Sequence, residues 1–321
     1  MKARFFLGIP EPSWLWKPHP GLDGVALFVS RARLARRSPN RVMPRALHDF
    51  ALDSGGFTEL KKFGRWRVSP AEYAAEVRRY RAQLGPERML WAAPQDCMCE
   101  PWVIYGKNRH LGARHERYFH GTRELRGLAD GDDEHDLTTA VRIHQRLTVA
   151  NFLELRALAP DVPWIPVLQG WALEDYLHCV RLYEEAGVDL DTVPVVGVGS
   201  VCRREDTSEI AEIIGTLSAL GLRLHGFGVK TDGLAMYGER LASADSQAWS
   251  YGYRKRKIRL ESCTHKAQTC GYCLDGALAW YRRITQPPTP GASGPRVPSS
   301  PSPTGAGERG QRRVRAPPAG V

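Results

Sequence analysis

Leu52-Asp53-Ser54-Gly55-Gly56-Phe57 sets a carboxylate, a hydroxyl, two glycines and an aromatic ring directly after an apolar run. A carboxylate placed there can give or take a proton, and the ring offers a stacking face. Glycines without a Cβ let a flat ligand approach the backbone. Taken alone, Asp-Ser-Gly-Gly also reads as a capped turn. The pattern recurs, however: Gln95-Asp96-Cys97, Leu168-Gln169-Gly170, Gly197-Val198-Gly199-Ser200, His225-Gly226-Phe227-Gly228 and Ala244-Asp245-Ser246 each close a strand-like run. Carboxylates and an amide ringed by glycine turns suit a small, polar, planar ligand. Asp96 and Gln169 fit the donor and acceptor edge of a purine-like base. Gly55, Gly56, Gly170, Gly197 and Gly199 are expected to leave a slot for its faces.

Two further clusters carry chemistry of other kinds. Cys263-Thr264-His265 and Cys270-Gly271-Tyr272-Cys273 combine Cys-x-His with Cys-x₂-Cys inside eleven residues. Three thiolates and one imidazole make a closed tetrahedral site for a structural Zn²⁺, held by Cys263, His265, Cys270 and Cys273. Cys97, Cys99, Cys179 and Cys202 read as buried small side chains. Tyr251-Gly252-Tyr253-Arg254-Lys255-Arg256-Lys257 places four cations beside two aromatics, a composition that fits a phosphate backbone and unstacked bases. Such a run is also common on a solvated loop. Arg203, Arg204 and Lys230 are expected on the same rim.

The elements that must position these groups are visible in the apolar pattern. Eight strand-like segments are expected at Phe5–Ile9, Val25–Val29, Asp49–Asp53, Met89–Pro94, Trp164–Gln169, Val193–Gly199, Leu222–Val229 and Leu241–Asp245. Helices are expected at Pro70–Leu84, Leu137–Leu158, Leu173–Ala186, Glu205–Leu220 and Asp275–Ile284. Pro70–Leu84 carries an N-cap at Ser69 with Glu72 three residues on. Val141, Ile143, Leu147, Val149, Phe152 and Leu155 supply the apolar face of the second helix. Eight strands alternating with helices read as an α/β protein of the (β/α)₈ TIM-barrel type, with an open doubly wound sheet as the alternative. The domain is expected over residues 1–284, with a small C-terminal zinc-binding subdomain at 260–275. Residues 104–136 look like an insertion after the fourth strand.

Composition bounds the remaining choices. The chain has 321 residues, 42% hydrophobic and 25% charged, with a net charge of +10. Mean hydropathy is −0.38 and the isoelectric point about 9.4, which leans toward an anionic partner such as nucleic acid. The stretch 287–321 holds five Arg and one Glu, so it supplies four of those charges. The Pro/Ser/Gly/Arg-rich tail at 285–321 cannot bury a core and is expected to be disordered. No run reaches the length of a membrane span and no signal peptide is visible, so no membrane partner is expected. Seven cysteines without a secretion signal argue for a reducing, cytoplasmic setting.

These motifs, in this order, resemble the tRNA-guanine transglycosylase superfamily over roughly residues 5–284, and specifically its DNA-modifying branch, the deazapurine DNA modification protein A family. The resemblance implies exchange of guanine in DNA for a 7-deazaguanine base of the preQ0 type, in a bacterial or phage-infected cell. It puts the nucleophile on Asp245 and the proton-transfer carboxylate on Asp53. The base contacts fall on Asp96, Gln169 and the Gly197–Gly199 backbone, with Phe57 stacking on the base. It extends the substrate-binding set to Ser54, Gly55, Gly56, Gly170, Val198, His225 and Gly226. Met98 stands where bacterial tRNA enzymes carry a cysteine. Those enzymes bind zinc through Cys-x-Cys-x₂-Cys and a distant His; no His follows His265 here, so the fourth ligand is local. A tRNA-guanine transglycosylase, a base-excising N-glycosidase and a non-catalytic DNA-binding module are the competing readings.

Overall fold

Short, fully apolar runs that alternate with amphipathic helices cannot be covered on one face only, and they assemble into a parallel sheet wrapped by helices. In the computed structural model, which describes residues 3–38, 40–106, 119–129, 136–201, 204 and 207–286, all eight expected strands form. They are β1 Arg4–Gly8, β2 Ala26–Ser30, β3 Phe50–Asp53, β4 Met89–Ala92, β5 Val167–Leu168, β6 Val196–Val198, β7 Leu224–Gly226 and β8 Ser243–Ser246. Every pairing is parallel, in the order β4-β3-β2-β1-β8-β7-β6-β5. This is a curled eight-stranded sheet. Its two edges meet at one parallel bridge, Ala92 with Trp164, where Ala92 N–H donates to Pro163 O at 3.0 Å and Ile165 N–H to Ala92 O at 3.1 Å.

Ten α-helices accompany the strands in the described chain, besides three short 3₁₀ turns: α1 Arg31–Leu34, α2 Gly56–Phe63, α3 Pro70–Leu84, α4 Pro101–Tyr105, α5 Leu137–Leu158, α6 Leu173–Glu185, α7 Thr207–Ala219, α8 Thr231–Tyr237, α9 Ala248–Lys255 and α10 Leu274–Thr285. The start of α3 follows from its cap: Ser69 accepts from the Glu72 amide while Glu72 reaches back to the Ser69 amide. Helices α2, α4, α8 and α9 are short and did not stand out in the apolar pattern. Part of the expected insertion is α4; residues 107–118 and 130–135 lie outside the described residues, as does the expected tail from 287 onward.

Two packed layers share the sheet. Residues of one parity point inward, where Phe6, Ala26, Ala51, Trp91, Ala93, Ile165 and Val195 form a compact interior cluster. Residues of the other parity, such as Leu7, Leu27, Leu52 and Leu168, pack outward against the helices in the main core. The inward parity continues to the carboxyl ends of the strands, where it delivers Ser30, Asp53 and Asp245 to the same mouth.

Helix α5 departs from its expected face. Ile143 and Leu147 are only half-buried, whereas His144, Gln145 and Thr148 are fully buried. The reason is that this face meets polypeptide backbone and not side chains. Asn151 Oδ1 accepts from Gln95 N–H at 2.9 Å, Thr148 Oγ1 accepts from Cys97 N–H at 2.9 Å, and His144 Nδ1 donates to Met98 O at 2.6 Å. Gln145 donates to the backbone carbonyls of Gln169 and Asp175. Burial pushes His144 down to about 4, so the ring is neutral, and its Nε2 accepts from the Thr122 hydroxyl at 2.8 Å. An irregular segment in a protein interior needs such partners for each backbone group. Removing one is therefore costly. Thr148→Val should orphan the Cys97 amide and lower unfolding free energy by ~1–3 kcal/mol, whereas Thr148→Ser should lose less than ~1 kcal/mol; urea denaturation of both variants measures the difference.

Candidate active site

The strand ends open into a cavity of about 240 Å³, smaller than a drug-sized pocket and suited to a compact ligand. Asp53, Asp96, Gln169 and Asp245 all line it, contributed by the ends of β3, β4, β5 and β8. Gly56, Phe57 and Gly199 are on the wall as well. Asp53 is the last residue of β3; the Ser30 hydroxyl and the Gly55 amide donate to it. Gly55 sits at φ 82° as the turn that starts α2, a conformation a side chain would strain. Burial nevertheless pushes the Asp53 carboxyl up to about 6, and the negative charge of Asp245 adds to the effect.

Asp96 anchors the other side. Gln169 Nε2 donates to its Oδ2, and the Ser54 hydroxyl to its Oδ1 at 3.3 Å. Burial first, then the charge of Asp53, raise its carboxyl to about 7. The Gln169 amide is itself oriented: Ser200 Oγ lies 2.6 Å from its Oε1 and 2.8 Å from Glu100 Oε2, and accepts from Cys99 N–H at 2.8 Å. Ser200 holds this place at φ 56°, an uncommon left-handed conformation for a residue with a side chain. On β8, Asp245 is nearly fully buried and its Oδ1 accepts from the Gly228 amide at 2.9 Å.

Several expected contacts lie behind the wall. A Cβ on Gly197 would meet the Phe227 ring at 2.5 Å, and one on Gly199 would meet Gln169 Nε2 at 2.2 Å. Gly197 therefore gives its space to Phe227, which faces the cavity in its place, while Gly199 stays on the wall and makes room for the Gln169 amide beside it. Gly170 packs against Asp175 and Tyr176 of α6, and Gly226 against Val229 and Leu241. Val198 belongs to the outer core, Ser54 is buried under Asp96, and His225 is fully buried beneath Asp245. None of Ser54, Gly55, Gly170, Gly197, Val198, His225 and Gly226 lines the cavity.

The cavity also has walls that the sequence reading passed over, because it stopped short of the first two strand ends. Gly8 and Ile9 close β1, and Phe28 and Ser30 close β2. Stepping two residues along the inward parity from Phe28 or Asp245 would have found Ser30 and Gln247. Arg33 on α1 lines the wall as well. Its helix is pinned by buried Arg31, which pairs with Glu76 of α3 at 2.7 and 3.0 Å. Met98 lines the cavity too, backed by Trp102 and Leu60, with Phe57 packed on that cluster.

The basic rim divides. Arg254, Lys255, Arg256 and Lys257 are all exposed at the end of α9. Arg254 stacks over Tyr272 at 5.3 Å and Lys255 over Tyr251 at 5.8 Å, and both tyrosines are exposed. Arg204, in contrast, is buried: its guanidinium lies 4.3 Å over Trp171, donates to Trp171 O and pairs with Glu209. It is a strut and presents no charge to a ligand. Lys230 is exposed but donates to Arg204 O at 2.6 Å. Arg203 and Cys202 lie outside the described residues; Cys97, Cys99 and Cys179 are buried as expected.

Cys263, His265, Cys270 and Cys273 converge, with their ligand atoms all within 4.8 Å of one another. Cys263 Sγ is 3.4 Å from the sulfurs of Cys270 and Cys273, and His265 Nε2 is 3.4 Å from Cys270 Sγ. Thiolates ~2.3 Å from a tetrahedral metal would lie about 3.8 Å apart, so the set fits a metal ion with slight expansion. Backbone amides of Leu260 and Gly276 already point at the sulfurs of Cys270 and Cys273, as a metal-bound thiolate requires.

A parallel α/β protein that gathers carboxylates and an amide at the carboxyl ends of its strands is of the class that holds a small polar ligand there. This chain belongs to the DpdA family, described as deoxypurine in DNA protein A, whose family model matches residues 1–133 and 129–291. Membership implies a role in deazapurine modification of DNA. No curated protein was found to match the chain. Among the described residues, no helix is long and apolar enough to cross a membrane.

The raised Asp96 carboxyl makes a stability test. Its folded value of about 7 lies above its unfolded value near 3.8, so the folded protein binds the extra proton between the two. That contribution is present below about pH 4 and is lost as pH rises through about 7. Asp96→Asn should therefore be more stable than the wild type at pH 8, by ~1 kcal/mol or a Tm gain of roughly 2–4 °C, with a smaller gain at pH 5. Thermal denaturation at the two pH values checks it; an equal offset at both would contradict the assignment.

Proposed function

We propose that the protein is a transglycosylase that exchanges guanine in DNA for a 7-deazaguanine base of the preQ0 type. The supporting observation is the convergence of Asp53 and Asp245 on one cavity whose far groups, Asp96 and Gln169, form a joined donor–acceptor pair. The eight-stranded sheet acts as a closed (β/α)₈ barrel, with the Ala92–Trp164 bridge as its seam.

In this reading Asp245 attacks C1′ of the target nucleotide. The C1′–N9 bond breaks as the new C1′–O bond forms, and Asp53 delivers a proton to the departing guanine. The incoming base then loses its N9 proton to Asp53 as N9 attacks C1′ and Asp245 leaves with its electron pair. Two displacements retain the anomeric configuration, as in retaining glycosidases. The division of labour needs one carboxyl that can take up and release a proton beside one that attacks, and the raised Asp53 carboxyl supports the first assignment. Asp96 and Gln169 read the base edge, and Phe57, Phe28 and Phe227 give apolar surface for its ring. The target must be flipped from the stack to enter. Arg33 at the wall is placed for its phosphate, and Arg254–Lys257 with Tyr251 and Tyr272 for the flanking strand.

Labelled-guanine exchange into duplex DNA, single-stranded DNA and bulk tRNA, run at one salt concentration, tests the polymer and the chemistry together. DNA should be labelled and tRNA should not; labelling of tRNA alone makes the protein a tRNA-guanine transglycosylase, and base release without exchange makes it an N-glycosidase. Asp245→Asn should abolish exchange with DNA affinity nearly unchanged. Retention of a tenth of kcat, a cost of only ~1.4 kcal/mol, excludes it as the nucleophile. Replacing Arg254, Lys255 and Arg256 together should raise KM for DNA and flatten its salt dependence, by a slope of about 0.9 per lost phosphate contact.

The metal at Cys263, His265, Cys270 and Cys273 is a structural zinc in this reading, since four protein ligands leave no position for water. Elemental analysis should find about one zinc per chain. Chelation should lower Tm, because binding and local folding are coupled. His265→Ala with unchanged zinc content would remove that residue from the set.

A further inference from the structure

His225 is the middle residue of β7, beside β8 and in register with Ser243. It is completely buried, and Ser243 and Asp245 stand two residues apart on the same face of β8. The ring therefore touches both: Nδ1 is 2.8 Å from Ser243 Oγ, and Nε2 is 3.4 Å from Asp245 Oδ1. Among the described residues Nε2 has no other polar partner, and its approach to Oδ1 is a few tenths of an ångström longer than a full hydrogen bond. The ring cannot swing away. Trp91 and Phe227 pack on it at 4.6 and 4.8 Å between centroids, and Phe6 and Phe28 at 5.7 and 5.9 Å.

We infer that His225 is a positioning residue that decides which oxygen of Asp245 reacts. A carboxylate oxygen only accepts, so the Nε2 that faces it carries the hydrogen, and in the neutral ring Nδ1 then accepts from the Ser243 hydroxyl. The Gly228 amide donates to the same Oδ1 at 2.9 Å. Oδ1 is thus the held oxygen, and no hydrogen bond to Oδ2 is present among the described residues, which leaves Oδ2 as the atom that attacks C1′. In the covalent intermediate Oδ2 is the ester oxygen and Oδ1 the ester carbonyl. When the incoming base displaces Asp245, the electron pair of the C1′–Oδ2 bond returns to the carboxylate. The negative charge that then spreads onto Oδ1 of the buried carboxylate meets two donors already in place.

This inference rests on the proposed transglycosylation, and its test separates the two. Exchange into DNA is measured for the wild type, His225→Phe, His225→Gln and His225→Asn, with Tm recorded for each. Phe preserves the aromatic packing and removes the donor. Gln places an amide nitrogen near the position of Nε2, and Asn places one near Nδ1. His225→Phe should lose kcat by ~100-fold, the scale of a lost preorganised donor, with KM for DNA and for the incoming base changed by less than about twofold. His225→Gln should recover at least tenfold of that loss, and His225→Asn should not. If packing alone matters, Phe is the best-tolerated replacement; that order, or a His225→Phe kcat within about twofold of wild type, overturns the inference. Should His225→Phe fail to fold, Ser243→Ala serves, because it removes the donor that fixes the ring: a several-fold fall in kcat at unchanged KM supports the inference, and wild-type kcat overturns it. A wild type that exchanges no base into DNA overturns the proposed function instead.

Discussion

Carboxyl groups brought together away from water cannot all remain ionised, and this constraint organises the mouth of the sheet. Asp53 and Asp96 are raised by burial first and by neighbouring charge second, to about 6 and about 7. Each is only partly relieved by its donors: Ser30 and Gly55 for Asp53, Gln169 and Ser54 for Asp96. The result is a set of acids poised to exchange protons near neutral pH, where proton transfer is most efficient. The same two residues on an open surface would have ordinary acidity and no such capacity. The interior aromatic layer of Phe6, Phe28, Trp91 and Phe227 beneath the mouth keeps water from below, so burial of the carboxyls is a property of the whole sheet.

The same low-dielectric surroundings make every unpaired polar group expensive, and the fold responds with a buried polar scaffold. The segment Gln95–Cys99 leaves the sheet and runs without regular structure, yet it must present Asp96 in one orientation. Helix α5 supplies the missing partners through Asn151, Thr148 and His144, and Gln145 does the same for the chain at Gln169. Ser200 then couples the two presented side chains through Gln169. Asp96 and Gln169 are therefore held by a continuous network that reaches from α5 to the turn after β6, which is the kind of support a specific hydrogen-bonding edge needs.

How much of this the sequence discloses depends on what each residue is packed against. The eight strands were readable because a buried parallel strand is apolar on both faces. The start of α3 was readable because Ser69, Pro70 and Glu72 are local signals. The ends of α5 were also readable, but its buried face was not: periodicity counts apolar residues, and here the partner is backbone that asks for hydroxyls, amides and an imidazole. Asp53, Asp96, Gln169 and Asp245 stood out because polar groups directly after buried runs are conspicuous. Gly197 and Gly199 stood out equally, for a different physical reason: a missing Cβ can admit a ligand or a neighbouring side chain, and only the structure places Phe227 and Gln169 in that space. The burial of Arg204 is invisible for the same cause, since charge in a sequence carries no record of Trp171 and Glu209 beside it.

The cysteine–histidine cluster is tied to the site by a short mechanical path. β8 ends at Ser246, and α9 begins two residues later at Ala248; its second residue is Trp249, whose indole donates to Gly8 O at 3.0 Å and stacks on Trp14. Along its length α9 also meets the cluster: Ser250 Oγ in its first turn donates to Gly271 O at 2.6 Å, and near its C-terminal end the stem of Arg254 packs so closely on Gly271 that a Cβ there would meet it at 2.4 Å. Gly276 likewise lets α10 close on Cys270 and Tyr253. A helix of eight residues has little stability of its own, so its direction is set by these two anchors. The cation-bearing end of α9 is held by the cysteine–histidine loop, and the end next to Asp245 is held by the first strand. The cluster therefore fixes where the exposed cations stand relative to the carboxylates, a distance along the chain of nine residues from Asp245 to Arg254 that a flexible loop would leave undefined.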